Sequence, residues 1–215
     1  YDREWLKAQV PGSVHTDLFF NNKIPDPFYG TNEKDLQWIS DESWEYKTIL
    51  DLDNEFISKE VQLLKFYGLD TYAKVYVNGK LLIESNNMFH PWEVSVKDIF
   101  QLGENEILVS FESPVQKMLP KMNKMDYELP ADNDQIKKTS PHTRKAPYHY
   151  GWDWGPSFAT CGIWQNVEII AYDFFTINDV HVYQKEVHPH NAKIEINVEI
   201  TSAMELEAEL LIIEP

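Results

Sequence analysis

Residues 71–85 read "TYAKVYVNGKLLIES", and the fold class turns on them. The first half alternates with period two, which puts successive side chains on opposite faces of a strand. Asn78-Gly79 follows, and both residue types tolerate positive φ, so a two-residue turn returns the chain antiparallel along "KLLIES". Outward from this hairpin the same alternation recurs in "WEYKTILDL" from Trp44, "VQLLKFY" from Val61 and "EILVSF" from Glu106. These are half-buried strands. Helical signals are few: Ser13 can cap "VHTDLFFNN", and Ser113-Pro114 can open "VQKMLPKM" until Pro120 interrupts it.

The strand pattern resumes at "GIWQNVEIIAY", and "FFTINDVHVYQKE", "AKIEINVEIT" and "ELEAELLIIEP" follow at short intervals. The expected fold is all-β: a sandwich over residues 1–172, then the first strands of a second β domain over residues 173–215, which the chain truncates. The missing initiator methionine and the stop at Pro215 are what a fragment of a longer protein would show. Between Ser113 and Tyr148 lies a segment rich in Lys, Met, Pro, Asp and Asn, too long for a passive connection.

The 19 basic and 35 acidic side chains give a formal charge of −16. Such a surface repels phosphate backbones and anionic lipid, so neither nucleic acid nor a membrane is expected as a partner. No apolar run reaches the eighteen or so residues a membrane helix requires. The single Cys161 has no internal disulfide partner.

Aromatic residues crowd into "YHYGWDWGP", residues 148–156, where glycine and proline argue against a core strand. A sugar presents an apolar C–H face and a rim of hydroxyls, so its site needs an aromatic platform beside a carboxylate. Trp152, Asp153 and Trp154 supply both. In an extended segment the two tryptophans would share one face and Asp153 the other, unless Gly151 or Gly155 bends the chain. The alternative is packing: the rings close one end of the sandwich and Asp153 bonds to local amides.

"RKAPYHYGWDWGPSF" with "GIWQNVEI", and earlier "VPGSVHTDLFFNNKIPDPFYGTNEKDLQWISDESWEY", resemble the N-terminal domain of the β-mannosidases of glycoside hydrolase family two. "LKFYGLDTYAKVYVNGKLL" resembles strands found across that family, β-galactosidases and β-glucuronidases included. The resemblance implies a jelly-roll-like sandwich, an immunoglobulin-like sandwich and a catalytic (β/α)8 barrel, with the first and part of the second present here. It implies that Asp153, Trp152 and Trp154 form part of a pocket for a terminal β-mannose, with the rest supplied by the downstream barrel of the same chain. The reaction implied is hydrolysis with retention through two glutamates on that barrel, so the fragment has no catalytic residue and needs no cofactor or metal. The partner implied is a β-mannoside oligosaccharide or glycoside. Two other readings remain: an autonomous carbohydrate-binding module, or the same domain from a related β-galactosidase or β-glucuronidase.

Other candidates read as structural. Arg144 and Lys145 can anchor the loop through a carboxylate, and His149 is assigned to the framework. Trp5, Trp38, Trp44, Trp92 and Trp164 are expected in core or domain contacts. His188-Pro189-His190 lacks a second ligand pair and reads as a solvated turn. Asp51/Asp53 and Asp132/Asp134 lack the glycine and terminal glutamate of a calcium loop.

Overall fold

The structure is a computed structural model that describes residues 4–134, 136–202, 204, 205, 207, 209 and 211. Its strands are β1 (Trp44–Leu52), β2 (Val61–Phe66), β3 (Leu69–Asp70), β4 (Tyr72–Val77), β5 (Lys80–Glu84), β6 (Trp92–Ser95), β7 (Gly103–Glu112), β8 (Gly162–Ile163), β9 (Val167–Tyr172), β10 (Phe175–His188) and β11 (Asn191–Ser202). Four short helices accompany them: α1 (Val14–Phe20), α2 (Asn32–Asp35), α3 (Asn54–Ile57) and α4 (Pro114–Met122). Most of the expected strand over residues 205–215 lies outside the described residues.

Two antiparallel sheets, ordered β1-β7-β4-β5 and β6-β2-β9, face each other as a sandwich. The period-two pattern produces this directly. Leu64 and Phe66 of β2, Val75 and Val77 of β4, and Val109 and Phe111 of β7 are at most 1% exposed and join one core, while their sequence neighbours point away. Each such side chain contributes about 1.5–3 kcal/mol on burial. The turn between β4 and β5 has Asn78 at φ 49° and Gly79 at φ 78°, both positive as a type I′ hairpin requires.

Ser13 starts α1, and its backbone N–H is accepted by Thr16 Oγ1 at 3.2 Å. One expectation needs correction: α4 does not stop at Pro120 but runs on to Met122. A proline removes only its own amide and crowds the carbonyl four residues back, and here two residues of helix remain beyond it, closed by Asn123 N–H on Leu119 O at 3.0 Å. β10 and β11 form a long, largely exposed hairpin whose turn contains Pro189 and His190.

A small pairing positions the site. β3 pairs with β8, matching Leu69 to Ile163 and Asp70 to Gly162. Because β8 immediately follows the aromatic loop, the pairing brings Asp70 to that loop's base.

Candidate functional site

The loop is built from two stems and a tip. The upstream stem begins beside Asn87 and Met88, where Met88 N–H donates to Arg144 O at 3.0 Å. It continues through Lys145 and a 3-10 turn over Pro147–Tyr150, closed by His149 N–H on Ala146 O at 3.0 Å. Tyr150 is buried and Gly151 then turns the chain at φ 132°.

The tip is a tight turn rather than an extended strand. Gly155 N–H reaches Trp152 O at 3.4 Å, and the Trp152 and Trp154 rings meet edge to face, 5.8 Å apart at 89°. The turn brings the tryptophans together as a pair. They lie outside the hydrophobic core, Trp152 46% and Trp154 83% exposed. Asp153 is exposed between them and, among the described residues, its carboxylate makes no hydrogen bond or ion pair.

The downstream stem is held by residues distant in sequence. Ser157 N–H donates to Glu33 Oε1 at 2.7 Å, Gln37 Nε2 to Ser157 O at 2.9 Å, and Ser157 Oγ to Tyr150 O at 3.0 Å. Phe158 packs between Phe28 and His15, with ring centroids 5.4 Å and 5.2 Å away. The chain then pairs with the start of α1, where Val14 N–H donates to Cys161 O at 2.9 Å.

Beneath the loop lies a buried ion pair. Lys145 Nζ, with a fully buried side chain, donates to Asp70 Oδ2 and also to Thr160 O at 2.8 Å. Asp70 Oδ1 accepts from Thr71 Oγ1. Burial pulls the Lys145 ammonium below the usual lysine range, against the opposing attraction of Asp70. His149 Nδ1 lies 3.6 Å from Asp70 Oδ2, too far for a hydrogen bond, and has no hydrogen-bond partner among the described residues. His15 Nδ1 pairs with Thr160 Oγ1 at 2.8 Å. Burial first, and then Lys145, lowers both imidazoles from 6.5 to about 4, so both are neutral at pH 7. Burial likewise pushes the Cys161 thiol up.

A cavity of about 330 Å³ adjoins this cluster, lined among others by Asp70, Met88, Tyr148, His149 and Trp164. It includes none of Trp152, Asp153 and Trp154, all three of which are exposed. Of the other tryptophans, Trp44 and Trp92 pack against the core and Trp164 donates to Met88 O at 3.0 Å. Trp5 and Trp38 are 52% and 45% exposed, more open than core positions.

Residues 1–165 match the family described as glycosyl hydrolase 2 galactose-binding domain-like. Beta-mannosidase B of Aspergillus terreus is 36% identical over 192 residues, covering 83% of this chain and 22% of that protein. A probable beta-mannosidase of Caenorhabditis elegans is 38% identical over 174 residues, covering 76% of this chain and 19% of its own length. The crystal structure of a β-D-mannosidase from Dictyoglomus thermophilum superposes with a TM-score of 0.86 at 39% identity, covering 94% of this chain and 24% of that one. An exo-chitosanase of Amycolatopsis orientalis, at TM-score 0.67 and 19% identity, covering 93% of this chain and 21% of its own, shares the fold. The chain thus spans about a fifth of the length of the curated relatives it matches. On the match over residues 1–165, together with these β-mannosidase relatives, the chain belongs to the glycosyl hydrolase 2 galactose-binding domain-like family.

Proposed function

We propose that this chain is the N-terminal portion of a retaining exo-β-mannosidase and supplies one wall of the pocket for a terminal, non-reducing β-D-mannose. The observation that carries this reading is the tip itself, an edge-to-face tryptophan pair flanking an exposed carboxylate that is unpaired among the described residues, held at both stems. The reading is further supported by the β-mannosidase relatives and by how little of their length this chain spans.

In this reading Asp153 accepts hydrogen bonds from hydroxyls of the sugar, and a tryptophan beside it covers the apolar C–H face. An exposed tip of three residues encloses a ligand only against a second surface, which in this reading is the role of a catalytic barrel downstream. That barrel carries the two carboxylates of the retaining reaction, one as nucleophile and one as acid and then base. The hairpin β10–β11 then begins an immunoglobulin-like sandwich that joins the two.

The test is hydrolysis of p-nitrophenyl β-mannoside by the full-length protein carrying this chain, beside its Asp153→Ala variant. The wild type hydrolyses the mannoside in preference to the β-galactoside and β-glucuronide, and the variant loses about 2–4 kcal/mol of transition-state stabilisation in kcat/KM. An inactive wild type that still binds glycans would establish a carbohydrate-binding module instead, and a fully active variant would remove Asp153 from the site.

A further inference from the structure

We propose that Lys145 is a positioning residue for the Trp152-Asp153-Trp154 tip, clipping the two stems of the loop together through its ammonium. Lys145 lies at the upstream end of the loop, and Thr160, whose carbonyl it holds at 2.8 Å, lies fifteen residues on at the downstream end. One side chain therefore closes the base of the segment that carries the tip. Asp70, on β3, neutralises the ammonium and ties the closed base to the sandwich. Thr160 is held a second time, through its hydroxyl, by His15 on α1.

The chemistry suits a clip. The ammonium has three donors on a flexible stem, and two of them are spent, one on the Asp70 carboxylate of β3 and one on the Thr160 carbonyl of the downstream stem. A backbone carbonyl left without a partner at a partly buried site carries a cost, so removing the ammonium frees the downstream stem as well as the upstream one. Neither stem contains a regular strand until β8, so backbone ladders do not replace the clip. Six residues separate Lys145 from Trp152, and the intervening 3-10 turn with buried Tyr150 passes the anchoring on to the tip.

The experiment uses the full-length protein with Lys145 and Asp70 replaced together, Lys145→Met with Asp70→Asn, so that no unpaired charge is left buried and the fold survives. Hydrogen exchange followed by mass spectrometry is read on peptides over residues 146–159 and on peptides from β2, β4 and β7. The clip predicts faster exchange over 146–159 with the sheet peptides unchanged. Wild-type exchange in the loop overturns it, as does an equal acceleration throughout the sheets, which is what a merely structural ion pair would give.

A second arm rests on the mannoside reading above. The double variant lowers kcat/KM roughly 10- to 100-fold, as a misplaced binding group does, and adding Asp153→Ala then costs much less than it does in the wild type. Full additivity of the two changes overturns the positioning role. If the wild type hydrolyses no glycoside, the functional reading fails, and the exchange arm still decides the clip.

Discussion

Gly151 shows what one position can require. Its φ of 132° lies where side chains are rarely tolerated, and a Cβ there would stand 2.3 Å from the Asn133 carbonyl oxygen. The obstruction is backbone, which cannot rotate away. Gly151→Ala is therefore expected to destabilise the protein by about 1–3 kcal/mol and to displace the tip, read as a lower midpoint in urea; an unchanged midpoint would mean that the segment around Asn133 shifts freely. Glycines at both ends of "GWDWG" already indicate a bend, but the reason for this one is set by a residue well upstream. The same limit applies to charge. Asp153 and its flanking tryptophans stand out because their types converge on one chemistry within three residues. Lys145 can be read from sequence as an anchor without its partner, whereas Asp70 resembles any acid in a strand until β3 pairs with β8 and brings it under the loop.

Among the elements, the hairpin was the most legible, because periodicity and turn chemistry agree over one short stretch. Even there, the sequence understates Asn78. Besides its positive φ, its Oδ1 accepts from Glu106 N–H at 2.9 Å and its Nδ2 donates to Ile99 O at 3.0 Å and Asn105 Oδ1 at 2.9 Å. The turn is thus stitched to β7 and to the segment before it. Asn78→Gly separates the two roles, since glycine keeps the backbone geometry and deletes the bonds. A loss of about 1–2 kcal/mol in denaturant stability is expected; no loss would mean that water replaces the side chain without penalty. The loop itself was less legible. An extended segment predicts Trp152 and Trp154 side by side on one face, whereas the turn sets them edge to face at 89°, and the stems depend on Glu33, Gln37 and Asp70, which no local pattern connects to them. Pro120 was misread for a related reason: a proline near the end of a helix disturbs only the turn before it, and α4 has two residues left to run.

At the scale of the molecule, the buried polar cluster links stability to pH. His15 and His149 have folded pKa values of about 4 against 6.5 when free, chiefly because burial disfavours their charged forms and then because each faces Lys145. A depressed value means that the unfolded chain binds more protons between pH 6.5 and about 4. Stability is then complete above pH 6.5 and falls as the pH drops through that window, by up to about 3 kcal/mol for each imidazole. Net charge works the other way over the same range: protonation reduces the −16 carried at pH 7 and with it the self-repulsion of the acidic surface. The two effects separate in the slope rather than in the absolute stability. Urea unfolding of the 215-residue chain at several pH values should give a steeper decline for the wild type than for a variant carrying His15→Asn and His149→Asn, whose side chains do not titrate. Parallel slopes would place both imidazoles in contact with water, and the cluster under the loop would then be open rather than dry.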